Sequence, residues 1–381
     1  MNIAFITPEY PHKNLKRSAG LGSSIKNTAT SLANTGHDIT VFVVFQNEEK
    51  VFTDNGIKII SISRKGYKFF GWYLERKHIQ KIIQKEIQET NIGVLEAPDW
   101  TGITAFMSFT IPLIIRLHGS DTYFCNLEGR KQKRKNHFFE RKALNQADKI
   151  VSVSTFTTNL TKKLFNLECD IETIYNGINT DMFKPIGTKI KTGQILYFGT
   201  IIRKKGILEL ASIFNKVIAL HNDVSLLLIG KDVKDAFENK STLDMFLGRL
   251  TEKAKSKVTH LKAVPYRDIK NYIGQAQVVV LPSFAEAFPM TWLETLAMEK
   301  ALVASNIGWA KELMEDGKTG YLVNPKNHDE FSTKIITLLK DEEKNKRFGI
   351  NGRAHVISNF STSVILKKNI NFYKSLLPKN D

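Results

Sequence analysis

The chain has 381 residues, 42% hydrophobic and 24% charged, the balance of a globular protein long enough for two domains. Its two cysteines, Cys125 and Cys169, lie far apart and outside any ligand spacing, which excludes a disulfide framework and supports no zinc site. A formal net charge of +17 calls for an anionic partner: a phosphorylated ligand, an anionic membrane surface or nucleic acid.

Asn2–Thr7 (NIAFIT) reads as a first buried strand. No basic leader precedes this run, so no signal peptide is expected, and no apolar stretch approaches the eighteen or so residues of a membrane span. Ser18–Ser24 (SAGLGSS) predicts a glycine-bearing loop, then a helix to about Asn34 and a strand over Ile39–Phe45. Strand, loop, helix and strand in that order open an α/β sheet. Gly20 and Gly22 would let the backbone approach a phosphate closely. They are not the dinucleotide fingerprint, which needs glycines directly after the strand and a third one three residues on. That counts against a nicotinamide enzyme.

Further strands are predicted at Lys58–Ile62, Gly93–Glu96 and Pro112–Leu117. The last runs into His118-Gly119-Ser120-Asp121. Polar residues just past the carboxyl end of a parallel strand lie where open α/β sheets bind ligands. His118 is therefore a candidate site residue; the alternative is a histidine held by its own loop. Asp99-Trp100 follows an earlier strand in the same way.

Two basic stretches stand out. Lys77, Lys81 and Lys85 form a row beside Ile79, Ile83 and Ile87 on a helix near 72–90. Arg130, Lys131, Lys133, Arg134, Lys135, Arg141 and Lys142 flank Phe138 and Phe139. Each alone reads as a solvated face over a core stripe; together they point to an anionic membrane surface. No zinc finger, RNA-binding signature or basic zipper is present, so no nucleic acid partner is expected.

Strands over Lys149–Val153 and Glu172–Tyr175 end the first half, followed by the turn signal Asn176-Gly177. Pro185–Gly193 is a short linker where the domain boundary is placed. The alternation then restarts. Gln194–Phe198 is a strand, followed by Gly199-Thr200, the basic loop Arg203-Lys204-Lys205-Gly206 and a helix. Val224–Ile229, His260–Ala263, Val278–Leu281, Ala301–Ser305 and the end of Gly317–Val323 are further strands, and helices finish the chain.

Ser283–Ala301 (SFAEAFPMTWLETLAMEKA) follows one of these strands. Pro289 suits a first helical turn, where a missing N–H costs nothing. A helix N-terminus offers N–H groups and a positive dipole end to a phosphate. Glu286 stands before this helix and Glu294 about two turns inside it, roughly 10 Å away at 1.5 Å per residue. Two such carboxylates suit hydroxyls on either side of a phosphate, as on a ribose and a sugar. On spacing alone, one surface acid and one capping acid is the competing reading.

Several stretches together resemble family 4 glycosyltransferases, the retaining GT-B enzymes: the glycines at 20–22, GHDITVFV, the histidine of LHGSD, ADKIVSVS, IYNGINTDMFKP, YFGTIIRKKG, AKELMEDGKTGYLV, and SFAEAFPMTWLE with its two glutamates seven residues apart. The resemblance runs from residue 1 to about 360, and the order and spacing of the pieces are specific. It implies an α/β fold of GT-B type, with two Rossmann-like domains and parallel sheets facing across a cleft. Residues 1–185 would form the acceptor-binding domain and 186–360 the donor-binding domain, with a final helix in 361–381 packing back on the first.

Carried over by position, Glu294 would bind the ribose hydroxyls and Glu286 the transferred sugar, and Lys205 would neutralise the diphosphate. Gly199, Arg203, Phe288, Met290 and Thr291 would complete the donor pocket. Gly20 and Gly22 would close over the phosphates, and His118 would sit by the donor sugar. The family usually has an arginine directly after the glycine of the 194–199 strand; here that position is Thr200, with Arg203 as a substitute in another register. Ala287 and Pro289 replace glycines common in the motif.

The chain has no Asp-x-Asp, in keeping with a metal-independent site and no cofactor beyond the donor substrate. The resemblance implies a hexosyltransferase that uses a UDP- or GDP-sugar and a glycan or lipid-linked acceptor in cell-surface polysaccharide or glycoconjugate synthesis. Its expected place is cytoplasmic, peripheral at the inner face of the membrane. The alternatives are a nucleotide-sugar epimerase of the same architecture and a non-catalytic sugar-binding or scaffold protein.

Overall fold

In the first half, alternate strand residues point to opposite faces and both sets are apolar, so the sheet is covered on both sides. The computed structural model describes residues 1–16 and 20–377. They divide into two units: the residues up to Gly177 with those from Thr362 onward, and Ile178–Ser361. Among the described residues no helix is long and apolar enough to cross a membrane.

The first unit contains β1 (Asn2–Thr7), β2 (Asp38–Gln46), β3 (Lys50–Asp54), β4 (Ile57–Ser63), β5 (Val94–Pro98), β6 (Leu113–Leu117), β7 (Lys149–Ser152) and β8 (Glu172–Thr173). Their order is β3-β4-β2-β1-β5-β6-β7-β8. All pairs are parallel except β3–β4. The sheet is parallel as expected, with one antiparallel strand added at this edge. Asn55 and Gly56 both take positive φ, which closes a tight hairpin and turns β3 back along β4.

Ile3, Phe5, Val41 and Val43 pack against Ile25, Ala29 and Leu32 of the Gly20–Ala33 helix and Ile365 and Phe372 of the Thr362–Leu376 helix. Ala4, Ile6, Phe42 and Val44 point the other way, under Ile79, Ile83 and Ile87 of the Gly71–Thr90 helix.

The last helix is also tied in by polar groups. Arg116 on β6 and Glu96 on β5 form a buried pair, with Nε to Oε1 at 2.7 Å and Nη2 to Oε2 at 2.9 Å. Arg116 Nη2 also donates to Asn369 Oδ1 at 2.8 Å, and the Tyr373 hydroxyl donates to Glu96 Oε2 at 2.8 Å. Burial opposes the charge on Arg116, but Glu96 and Tyr373 outweigh it and hold the guanidinium protonated.

The second unit contains β9 (Gln194–Phe198), β10 (Ser225–Ile229), β11 (Val258–Leu261), β12 (Val278–Leu281), β13 (Leu302–Ser305) and β14 (Tyr321–Val323). All pairs are parallel, in the order β11-β10-β9-β12-β13-β14. This is the doubly wound order, with its switch point between β9 and β12. The division falls after Gly177, ahead of the Pro185–Gly193 stretch. Ile178 donates to the Phe360 carbonyl at 2.9 Å, and Arg353 donates to the Phe183 carbonyl at 3.1 Å. Lys191 and Gly193 are hydrogen-bonded to Gln275 and Gln277 of the same unit, so this stretch runs along the second unit's surface.

Candidate active site

The two loops at the switch point of the second sheet are stitched together. After β9 the chain makes one 3-10 turn at Arg203–Lys205 and then enters the Ile207–Leu220 helix. Gly206 joins them at φ +70°, and a Cβ there would fall 1.9 Å from the Pro282 carbonyl oxygen. Only glycine allows this approach. The Lys204 carbonyl accepts the N–H groups of Phe284 and Ala285, at 2.7 and 3.3 Å, from the loop after β12.

This stitching brings Lys205 against Glu286, with Nζ 2.9 Å from Oε1 and both side chains largely buried. Ser283 Oγ donates to the same oxygen at 3.0 Å. Gly199 lies beside them: a Cβ built on it would be 3.7 Å from Lys205 Nζ and 4.0 Å from Thr291 Cγ2. Gly199, Lys205, Glu286 and Thr291 therefore line one spot. The Met290–Ala297 helix starts here, so its first-turn amides at Met290 and Thr291 lack intrahelical acceptors.

Two details differ from the sequence reading. Pro289 has φ −75° and ψ 117° and is the N-cap, so the helix begins one residue later. Glu294 is the fifth residue of that helix, about one turn in rather than two. Its side chain is buried, and Oε1 accepts from the Tyr266 hydroxyl at 2.8 Å. Burial pushes the Glu294 carboxyl up to about 7, while Tyr266 and then Lys205 pull it down. Tyr266 escaped the sequence reading because it comes from a separate loop, with no periodicity linking it to Glu294.

Arg203 is paired away from Glu286. Its Nε and Nη2 bond the two oxygens of Asp235 at 2.7 and 3.0 Å, Nη2 reaches Glu238 at 2.9 Å, and the group lies over the Phe237 ring. Two acids already neutralise it, so it supports its loop, and Lys205 is the cation facing Glu286. Thr200 contributes its carbonyl, which accepts from the buried Tyr197 hydroxyl at 3.0 Å. Phe288 is buried and its ring meets that of Phe360 at 5.4 Å.

In the first unit, Gly20 and Gly22 are the opening turn of the Gly20–Ala33 helix rather than a loop. Ser18 and Ala19, the start of that expected loop, lie outside the described residues. His118 and Ser24 of that helix line one small cavity with Glu96, Arg116, Asn176 and Asn369. Burial and the neighbouring Arg116 push the His118 imidazole down to about 3, so it is neutral at pH 7. Its backbone N–H donates to Asp99 Oδ1 at 2.9 Å. Asp99 is itself pushed up to about 8, by burial first and then by Glu140.

Glu140 was not anticipated. It sits on the Arg134–Gln146 helix, fully buried, and accepts from four donors. Oε1 takes the N–H groups of Thr101 and Asp121, at 3.2 and 2.9 Å. Oε2 takes the Thr122 N–H at 3.1 Å and the Thr122 hydroxyl. One carboxylate thus holds the loops after both β5 and β6, including the loop of His118.

Two α/β units of this kind, with a cation and two acids at the switch point of a doubly wound sheet, are the make-up of GT-B glycosyltransferases. Residues 18–182 match Glycosyltransferase Family 4, and residues 179–355 match Glycosyl transferases group 1. The chain belongs to the family 4 type of glycosyltransferases.

An uncharacterised glycosyltransferase of Methanocaldococcus jannaschii is 25% identical, over 98% of each chain. The capsular polysaccharide biosynthesis glycosyltransferase CapM of Staphylococcus aureus is 27% identical, over 54% of each. Anabaena HepE, solved in complex with UDP and glucose, has a similar fold, with a TM-score of 0.76 at 18% identity over 99% of this chain and 100% of that one.

Proposed function

We propose that the protein transfers a sugar, with retention of configuration and without a metal, from a UDP- or GDP-sugar to a glycan or lipid-linked saccharide. The acceptor is presented at the cytoplasmic face of a membrane, and the product belongs to a cell-surface polysaccharide or glycoconjugate. The observation that carries this reading is the Lys205–Glu286 pair at the head of the helix that buries Glu294. The UDP bound to HepE and the capsular role of CapM support it.

In this reading Glu294 accepts hydrogen bonds from the ribose hydroxyls. Lys205 and the amides of Met290 and Thr291 face the diphosphate. As the sugar C1–O bond breaks, negative charge grows on the leaving phosphate, and fixed donors aimed at it lower the barrier without a metal. The acceptor oxygen bonds to C1 on the face the phosphate leaves, and its proton passes to a phosphate oxygen. Glu286 holds sugar hydroxyls and faces the positive charge developing at C1. His118, neutral at pH 7, serves as a hydrogen-bonding group for the donor sugar.

Binding of UDP- and GDP-sugars in EDTA tests the donor site. One donor should bind to the native chain and bind far more weakly to Glu294→Ala. No binding to any donor, or a requirement for a divalent ion, would overturn the proposal.

A further inference from the structure

The first unit leaves several large rings in water. Phe69 and Phe70 are 77% and 72% exposed, and Phe138 is 54% exposed. Tyr73 and Leu74 are exposed beside them. Trp72, Tyr73, Phe106, Phe138 and Phe139 form one cluster: Phe106 lies 5.4 Å from Trp72, 5.9 Å from Tyr73 and 6.0 Å from Phe138. Phe69 and Phe70 immediately precede the Gly71–Thr90 helix, whose first turn carries Trp72 and Tyr73.

Phe70 is in an unusual position. It is the N-cap of that helix with φ +51°, and it makes no side-chain cap bond. Asn, Asp, Ser or Gly suit such a site. An exposed phenylalanine there adds nothing to the core and carries backbone strain, so folding alone does not account for it.

Cations surround the cluster. Lys77 lies over Tyr73, Lys135 over Phe139 and Lys142 over Phe106, each 5.7 Å from the ring centre. Within residues 64–77 and 130–142 the only acids are Glu75 and Glu140. Glu140 is buried and turned to the loops at Thr101 and Asp121. The face is an apolar centre inside a positive ring.

We infer that this face docks the protein on an anionic phospholipid surface. Phe69 and Phe70 enter the headgroup–acyl boundary, and the surrounding lysines and arginines lie over lipid phosphates. Charge complementarity selects this occupant. A second copy carries the same +17 and repels. A nucleic acid strand would need a flat stacking platform, whereas these rings are inclined to one another by 34–84°. The inference takes its purpose from the proposed membrane-side acceptor and rests on that reading there, but docking is measurable without any sugar.

The test is co-sedimentation of the full chain with vesicles of phosphatidylcholine alone and of phosphatidylcholine mixed with phosphatidylglycerol. UDP-sugar binding is measured in parallel. The native chain should bind the mixed vesicles only. Phe69→Ser/Phe70→Ser should bind them about tenfold more weakly or worse, given the area two rings remove from water. Lys133→Glu/Lys135→Glu should weaken binding and flatten its salt dependence. Donor binding should be unchanged in both variants.

Equal binding to both vesicle types, or native binding by the phenylalanine variant, would overturn the inference. So would a single-stranded oligonucleotide that displaces the vesicles and itself requires Phe69 and Phe70. Vesicle binding without any donor binding would leave docking standing and remove the transferase reading instead.

Discussion

The Lys205 ammonium lies 2.9 Å from a Glu286 oxygen, and the two groups come from the loops of adjacent strands, β9 and β12. A diphosphate would share Lys205 with Glu286. The two residues should therefore fail differently. Lys205→Ala should weaken UDP-sugar binding by about ten- to a hundredfold, the loss of a charge-assisted bond. Glu286→Gln keeps an oxygen for Ser283 and should bind donor nearly as before, while turnover falls more than about a hundredfold. Calorimetric binding and initial rates separate the two; a Glu286→Gln protein that loses donor binding but not turnover per bound donor would sink the assignment.

Glu294 should give opposite pH trends in stability and in binding. Its folded pKa of about 7 lies above its ordinary 4.5, so the folded state holds the proton longer. Below the ordinary value it costs nothing. Between the two values stability falls as pH rises, and above about 7 the full penalty, about 3 kcal/mol, is present. The ionised form is the better acceptor for ribose hydroxyls, so donor affinity should rise through the same window. Urea unfolding at pH 5 and 8 checks the first trend, and binding of a UDP-sugar checks the second. The intact sugar nucleotide is needed because a terminal phosphate titrates near pH 6 itself. Glu294→Gln should flatten both trends.

Glu140→Gln should disturb the loops after β5 and β6. A glutamine has one acceptor oxygen where the carboxylate has two, and its NH2 would face either the Thr122 donors or the amides of Thr101 and Asp121. A loss of about 2–3 kcal/mol is expected in urea unfolding. Turnover should fall by a larger factor than donor affinity, whose proposed contacts lie mostly in the second unit. A variant with lowered donor affinity and native turnover would contradict this.

The Arg116–Glu96 pair should be worth more broken than replaced. Arg116→Met leaves Glu96 buried without its cation and should cost about 3–5 kcal/mol. Arg116→Met with Glu96→Leu should recover most of that loss. Tyr373→Phe removes one donor to Glu96 and should cost about 1–2 kcal/mol. Chemical denaturation of the three proteins measures these differences.

Most of the sheet was legible in the sequence because strands covered on both faces read as unbroken apolar runs, as in Ile3–Ile6 and Val278–Leu281. β3 was not, since KVFTD is mostly exposed and carries no such run. The candidate donor loop was legible through its motif, but its details were not. A proline suits both the N-cap and the first helical residue, so Pro289 left the helix start one residue uncertain. Tyr266–Glu294 and Glu140–Asp121 join distant segments through single hydrogen bonds, and such bonds leave no spacing to find. Register already favoured Lys205 over Arg203, but the acids that claim Arg203 lie some thirty positions away, at 235 and 238, and no spacing announces them. Helical spacing also drew attention to Lys77, Lys81 and Lys85, while the exposed rings at 69 and 70 precede the periodic stretch.

The anchoring of the last helix reverses the order in which the units can be finished. Ile178–Ser361 is one continuous stretch and can fold once residue 361 has left the ribosome. The first unit, although synthesised earlier, still holds Glu96 and Arg116 without Asn369 and Tyr373. Its core stays open along one face of the sheet until those residues emerge. The half of the chain made first is the half completed last.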